Sequence, residues 1–167
     1  MTASRLPKGG RIDRARTVRF TFDGKAYSGH PGDTLASALL ANGVTLFGRS
    51  FKYHRPRGVF AAGSDEPNAL VTVLNGDVRE PNVRATELEI HDGLVTESQN
   101  RFPSLEHDVM AINQLAGPIL SAGFYYKTFM GPAIGPLRST KVWMFFEKFI
   151  RRAAGLGRAG IAADPDH

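Results

Sequence analysis

Val18, Phe20 and Phe22 alternate with Arg19 and Thr21, the period of a strand buried on one face. Asp23-Gly24 follows, a pair suited to a tight two-residue turn, and Lys25–Ser28 runs back, so residues 17–30 predict a β-hairpin. In "PGDTLASALLANGV" the pattern changes. Pro31-Gly32 ends the strand, Asp33 or Thr34 can cap, and Leu35, Ala38 and Leu39 hold the i, i+3, i+4 spacing of a short helix. Asn42 falls at the helix end and Gly43 sits where a C′ glycine is expected.

A hairpin followed by a helix that packs across it is the opening of a β-grasp fold. Residues 46–58, "LFGRSFKYHRPRG", have neither period and predict a loop. "ALVTVLNGDV" predicts a strand turning at Asn75-Gly76. "RATELEIHDGLVTESQ" predicts two further short extended pieces around Asp92-Gly93, with Leu88 and Ile90 inward and Glu87 and Glu89 on the other face.

Beyond Arg101 the pattern becomes helical and aromatic. "SLEHDVMAINQLAG" predicts a short helix capped by Ser104 and ending near Gly117. "FYYKTFMGP" is aromatic and irregular. "STKVWMFFEKFIRRAAGLG", residues 139–157, predicts the strongest helix. Val142, Phe145, Phe146, Phe149, Ile150 and Ala153 make a full apolar stripe, Ser139 can cap it, and Arg151 and Arg152 lie in its last turn. So much apolar surface on a terminal helix implies a docking partner. The expected organisation is α+β. A basic arm (1–16) precedes a β-grasp, ferredoxin-like domain (17–100), a helical and aromatic extension (101–158) and a linker-like tail (159–167).

Composition narrows the chemistry. The 167 residues contain no cysteine, which excludes disulfides, thiolate nucleophiles and cysteine-held iron–sulfur clusters. The five histidines, at 30, 54, 91, 107 and 167, form no i,i+4 or HxH pair, so a histidine metal site is not expected. The basic start has no apolar core of a secretory signal, and no apolar run approaches the length of a membrane span; a cytoplasmic protein is the expectation. Charge is uneven. Residues 1–57 carry eleven Lys/Arg against three Asp/Glu, residues 58–137 four against ten, and residues 138–167 six against three. A basic half suits nucleic acid, phosphate or an acidic protein surface. A small nucleic-acid-binding protein is therefore one reading, opposed by the acidic middle and the lack of a known nucleic-acid motif. A ubiquitin-like modifier is opposed by the missing terminal Gly-Gly. "GRSFKYHRPRG" is a basic segment without acids: Arg49, Lys52, Arg55 and Arg57 with two aromatics.

The segment "RGVFAAGSDEPNALV", residues 57–71, has the length of a metal-cluster loop running into a strand. Plant-type ferredoxins hold a two-iron cluster with C-x4-C-x2-C and a distant fourth cysteine. Laying that spacing so that its third position precedes the "LV" strand places it on Ala61, Glu66 and Ala69. The fourth position falls in "NVRAT" at Thr86. Such a set cannot bind the cluster.

The ordered series "FDGKAYSGHPGDTLASALLANGV", "GRSFKYHRPRGVF", "EPNALV", "EPNVRAT", "DGLVTESQNRFPSLEHDV", "GFYYKTFM" and "IRRAAGLG" resembles the amino-terminal region of sarcosine oxidase alpha subunits of the heterotetrameric type. The likeness spans nearly the whole chain, including "RLPKGGRIDR" near its start. It implies a ferredoxin-like domain that has lost its cluster, a non-catalytic assembly module in a complex that oxidatively demethylates sarcosine with FAD, FMN and NAD. The implied partners are the remainder of the alpha subunit and the beta, gamma and delta subunits; neither a specific nucleic acid nor a membrane is implied. In the family a dinucleotide-binding domain follows this region, and the chain is expected to end about where that domain would begin. "GLGRAG" at 155–160 follows a helix rather than a strand and is discounted as a dinucleotide fingerprint. No catalytic residue and no bound metal or cofactor is expected in this chain alone. Arg49, Lys52, Arg55 and Arg57 are the candidate contacts to a flavin phosphate or an acidic partner. His54 beside these arginines also has the makings of an acid and an electrophile, against the plainer reading of a solvated basic loop. Pro56 and Gly58 are read as loop shape.

Overall fold

A computed structural model describes residues 5–116 and 140–153. Its main sheet contains β1 (Val18–Phe22), β2 (Lys25–Gly29), β5 (Leu70–Asn75), β6 (Val78–Arg84) and β7 (Val95–Ser98), in the order β2-β1-β7-β5-β6. β1 pairs antiparallel with β2 and parallel with β7, and β5 pairs antiparallel with both β6 and β7. Helix α1 (Leu35–Ala41) packs on this sheet through Leu35, Ala36, Ala38 and Leu39. The hairpin, the crossing helix and the central parallel pair make the β-grasp arrangement expected from the sequence.

Local chemistry explains the boundaries. Asp23 and Gly24 both have positive φ, 49° and 75°, and Phe22 pairs with Lys25 across them; this is the turn whose twist suits a hairpin. Thr34, rather than Asp33, caps α1, its side chain accepting from Ser37 N. Gly29 lets the hairpin approach the helix, since a Cβ there would stand 2.5 Å from Ile90 Cδ1 and 3.0 Å from Ala38 Cβ. The core is Val18, Phe20 and Phe22 from β1, the α1 face, Phe47, Val71, Ile90 and Leu94.

Four details differ from the sequence expectation. β5 continues through Asn75, which pairs with Val78, so Gly76-Asp77 form the turn. Residues 46–58 are not wholly loop: β3 (Gly48–Arg49) and β4 (Pro56–Arg57) close a small antiparallel ribbon, too short to show a period. The helix expected from Ser104 is a 3-10 helix at Val109–Ala116. Ser104 Oγ does accept from His107 N, but the Asp108 carboxylate takes the N–H groups of Phe102 and Met110 and starts the helix there. Val109, Ile112 and Leu115 recur every third residue and are exposed, the eclipsed ridge of a 3-10 helix.

The extended piece before Asp92-Gly93 is likewise reduced to one bridge between Thr34 and Glu89, although Ile90 is buried and Glu87 and Glu89 are exposed, as the alternation required. Helix α2 (Thr140–Ala153) is present, with Phe145 60% and Phe149 61% exposed. The aromatic stretch after residue 117, the Ser139 cap, the side chains of Val142, Trp143 and Ala153, and the tail lie outside the described residues.

Candidate functional site

The loop between β4 and β5 is built around one carboxylate. Glu66 is 1% exposed. Its Oε2 accepts from Phe60 N and Ala61 N, both at 2.6 Å, and its Oε1 accepts from Asn68 N at 2.6 Å and Ala69 N at 3.0 Å. Burial pushes this carboxyl up, but the backbone N–H groups of Ala61, Asn68, Ala69 and Phe60 outweigh it and hold the group below the ordinary carboxylate range. The sequence explains the enclosure: Ala61 and Ala69 are small enough for the chain to wrap closely, and Gly63 turns it with φ 59°.

All four positions marked by the cluster spacing meet at this loop. Glu66 bonds the backbone of Ala61 and Ala69; Thr86 Oγ1 donates to Gly63 O at 2.7 Å, and Ala85 N donates to Ala69 O at 2.9 Å. The cluster spacing marks these positions in the sequence, but the carboxylate's turn inward onto four amides has no one-dimensional signal.

The basic segment lies on the adjoining ribbon. Arg49 Nε and Nη2 donate to Leu105 O at 3.0 and 2.8 Å, Nη1 donates to His54 O, and Nε faces Asp108 Oδ2 at 3.6 Å. Arg57 Nη1 donates to Asn68 Oδ1, tying the ribbon to the Glu66 loop. Lys52 Nζ and the Arg55 guanidinium stand 5.1 and 4.9 Å from the Tyr53 ring centre, both within reach of its π-face. Arg55 is exposed. Two of the four cations therefore serve the fold's own carbonyl and amide groups. His54, at positive φ 52°, shares Nδ1 with Asp108 Oδ2 at 2.7 Å. Gly58 is fixed by close approach, since a Cβ would lie 2.5 Å from Thr45 O.

A cleft of roughly 390 Å³ opens between the hairpin and residues 103–106. Its lining includes the Lys25–Glu106 pair at 3.2 Å and the Arg101–Asp23 pair at 2.8 Å. Asp23 also accepts from Ser98 N and Ser98 Oγ. The hairpin-turn residue is thus an anchor for the end of β7, a role the turn signal did not reveal.

The family model described as "2Fe-2S iron-sulfur cluster binding domain" matches residues 15–101. The chain is 59% identical over 167 residues to sarcosine oxidase subunit alpha of Rhizobium meliloti (strain 1021), covering 99% of this chain and 16% of that protein. It is 46% identical over 89 residues to the same-named subunit of Corynebacterium sp. (strain U-96), covering 52% of this chain and 9% of that one. The chain thus spans less than a fifth of the length of either relative. A solved L-proline dehydrogenase from P. horikoshii covers 57% of this chain and 18% of its own, with 29% identity and a TM-score of 0.43.

A two-iron cluster does not fit the residues present. Ala61 and Ala69 offer no ligand, Thr86 Oγ1 is bonded to Gly63 O, and both Glu66 oxygens are taken by backbone donors. Incubation with iron and sulfide is therefore expected to leave the protein without visible charge-transfer absorption. A stable brown product with stoichiometric iron would contradict this.

Proposed function

Since the chain belongs to the family of 2Fe-2S iron-sulfur cluster binding domains, yet carries no residue set that can ligate a cluster, we propose that it serves as a non-catalytic assembly module of a sarcosine oxidase-type alpha subunit. One observation carries the reading. Likeness to a sarcosine oxidase alpha subunit extends over 99% of the chain, while at the positions marked by the cluster spacing Glu66 binds the Ala61 and Ala69 amides and Thr86 binds Gly63 O. What is preserved is a surface and a scaffold.

On this reading the enzyme's FAD, FMN and NAD are held elsewhere in a cytoplasmic complex with beta, gamma and delta subunits. This chain contributes contacts. Arg55, exposed beside Tyr53, is the member of the basic segment best placed to meet a flavin phosphate or an acidic partner group, with Lys52 on the same ring. The exposed phenylalanines of α2 and the Val109–Ile112–Leu115 ridge supply apolar area for the remainder of the alpha subunit or a neighbouring subunit.

The test is co-expression of the tagged chain with the remaining sarcosine oxidase polypeptides of its host. The wild-type chain is expected to bring them down. Phe149→Asp is expected to abolish their recovery while leaving the far-ultraviolet circular dichroism of the chain unchanged. Failure of the wild type to recover any of them would refute the assembly role. Unfolding by Phe149→Asp would assign α2 to the domain's own core and move the interface to the basic segment.

A further inference from the structure

We propose that Glu66 is the resident ligand of an anion cradle, and that the loop accepts an external carboxylate once this side chain is shortened. Four backbone N–H groups, from Phe60, Ala61, Asn68 and Ala69, converge on one planar group, two on each oxygen, at 2.6–3.0 Å. Among the described residues no Lys, Arg or His pairs with Glu66, so its charge is balanced by oriented amide dipoles. Concave runs of backbone N–H groups bind anions for this reason.

A cluster held by thiolates carries negative charge, and a loop wrapped around it directs N–H groups inward. Without a cluster or another acceptor at the centre, such donors would be buried unpaired, which a folded chain does not tolerate. Glu66 stands at the middle position of the C-x4-C-x2-C spacing, and its own carboxylate supplies the acceptor. Thr86 Oγ1 on Gly63 O closes the far side of the loop. The cradle is permanently loaded, needs no metal, and holds the 57–71 loop in the shape that Arg57 then ties to the ribbon through Asn68.

The fit is for a small monocarboxylate. Glu66→Ala removes one methylene and one carboxylate, which acetate supplies as methyl and carboxylate. The cradle lies just under the surface, with Ser64, Asp65 and Pro67 exposed around it, so a small ion has a short path in.

Amide exchange and chemical shifts of the four donors, read by NMR in the 167-residue chain, test the proposal. In the wild type all four are expected to be protected and indifferent to acetate. In Glu66→Ala they lose protection. Acetate restores their shifts saturably and slows their exchange about tenfold when it reaches ten times its dissociation constant. If Glu66→Ala does not fold in plain buffer, acetate-dependent recovery of the folded spectrum replaces this readout. Glu66→Gln is the second variant. It fills the same space but sets an NH2 group against two of the four donors, so one amide pair is expected to lose protection. Wild-type protection of all four amides in Glu66→Gln overturns the proposal. So does equal restoration of Glu66→Ala by the neutral isostere acetamide, or the absence of any acetate effect on it.

Discussion

Asp108→Ala is expected to destabilise the domain by about 3–5 kcal/mol, the range for removing one partner of a buried charged pair. The Asp108 side chain is fully buried, and Arg49 opposite it is only 10% exposed. Three donors meet on this carboxylate, His54 Nδ1 at 2.7 Å, Phe102 N at 3.0 Å and Met110 N at 3.2 Å, and the Arg49 guanidinium stands as its ion-pair partner at 3.6 Å. Alanine leaves the guanidinium in place with carbonyl partners alone and orphans two backbone N–H groups. The carboxylate joins the basic ribbon to the start of the 3-10 helix, so its loss is expected to loosen both segments. Urea denaturation supplies the measurement. Asp108→Asn keeps an acceptor for the backbone donors and should lose less. A loss below about 1 kcal/mol for alanine, the level of an exposed ion pair, would mean that the network contributes nothing beyond surface electrostatics.

Asp33→Ala is the second large effect, expected at about 3 kcal/mol. The basic arm is fastened here: Arg5 donates to both Asp33 oxygens at 2.9 and 2.7 Å, and Ser37 Oγ and His30 N complete the shell. The arm also crosses Gly32, where a Cβ would lie 2.5 Å from Arg11 O. Burial pushes the Asp33 carboxyl up, but Arg5, His30 N and Ser37 together hold it below its ordinary value. Folding therefore lowers this pKa, and the sign follows. The stability Asp33 confers is complete above its unfolded value of about 3.9 and is lost as pH falls through the lower folded value. The gap between wild type and Asp33→Ala should stay constant from pH 7 to about 5 and narrow below about 4. Glu66, lowered in the same direction, adds to acid lability in the same window. A gap that persists undiminished at pH 2 would show that Asp33 acts through packing rather than charge.

The sequence by itself determined the elements whose signal is local. Alternation at Val18, Phe20 and Phe22, the Asp-Gly turn, and the Leu35–Ala38–Leu39 face define a hairpin and its crossing helix, because burial on one face imposes period two or 3.6 on neighbouring residues. The cluster spacing likewise marked Ala61, Glu66, Ala69 and Thr86, which the fold gathers around one loop. What the tertiary structure decided is where polar side chains find partners. Arg49 reaches Leu105, 56 residues away, Asp23 reaches Ser98, and Arg5 reaches Asp33. Each contact joins segments that only the folded sheet brings together. A basic run such as 49–57 reads as a solvated or ligand-facing surface until those partners appear, because charge is written in the sequence and its compensation is not. Glu66 is the sharpest case. Four residues of ordinary loop composition turn their N–H groups inward, and backbone direction has no letter in the sequence.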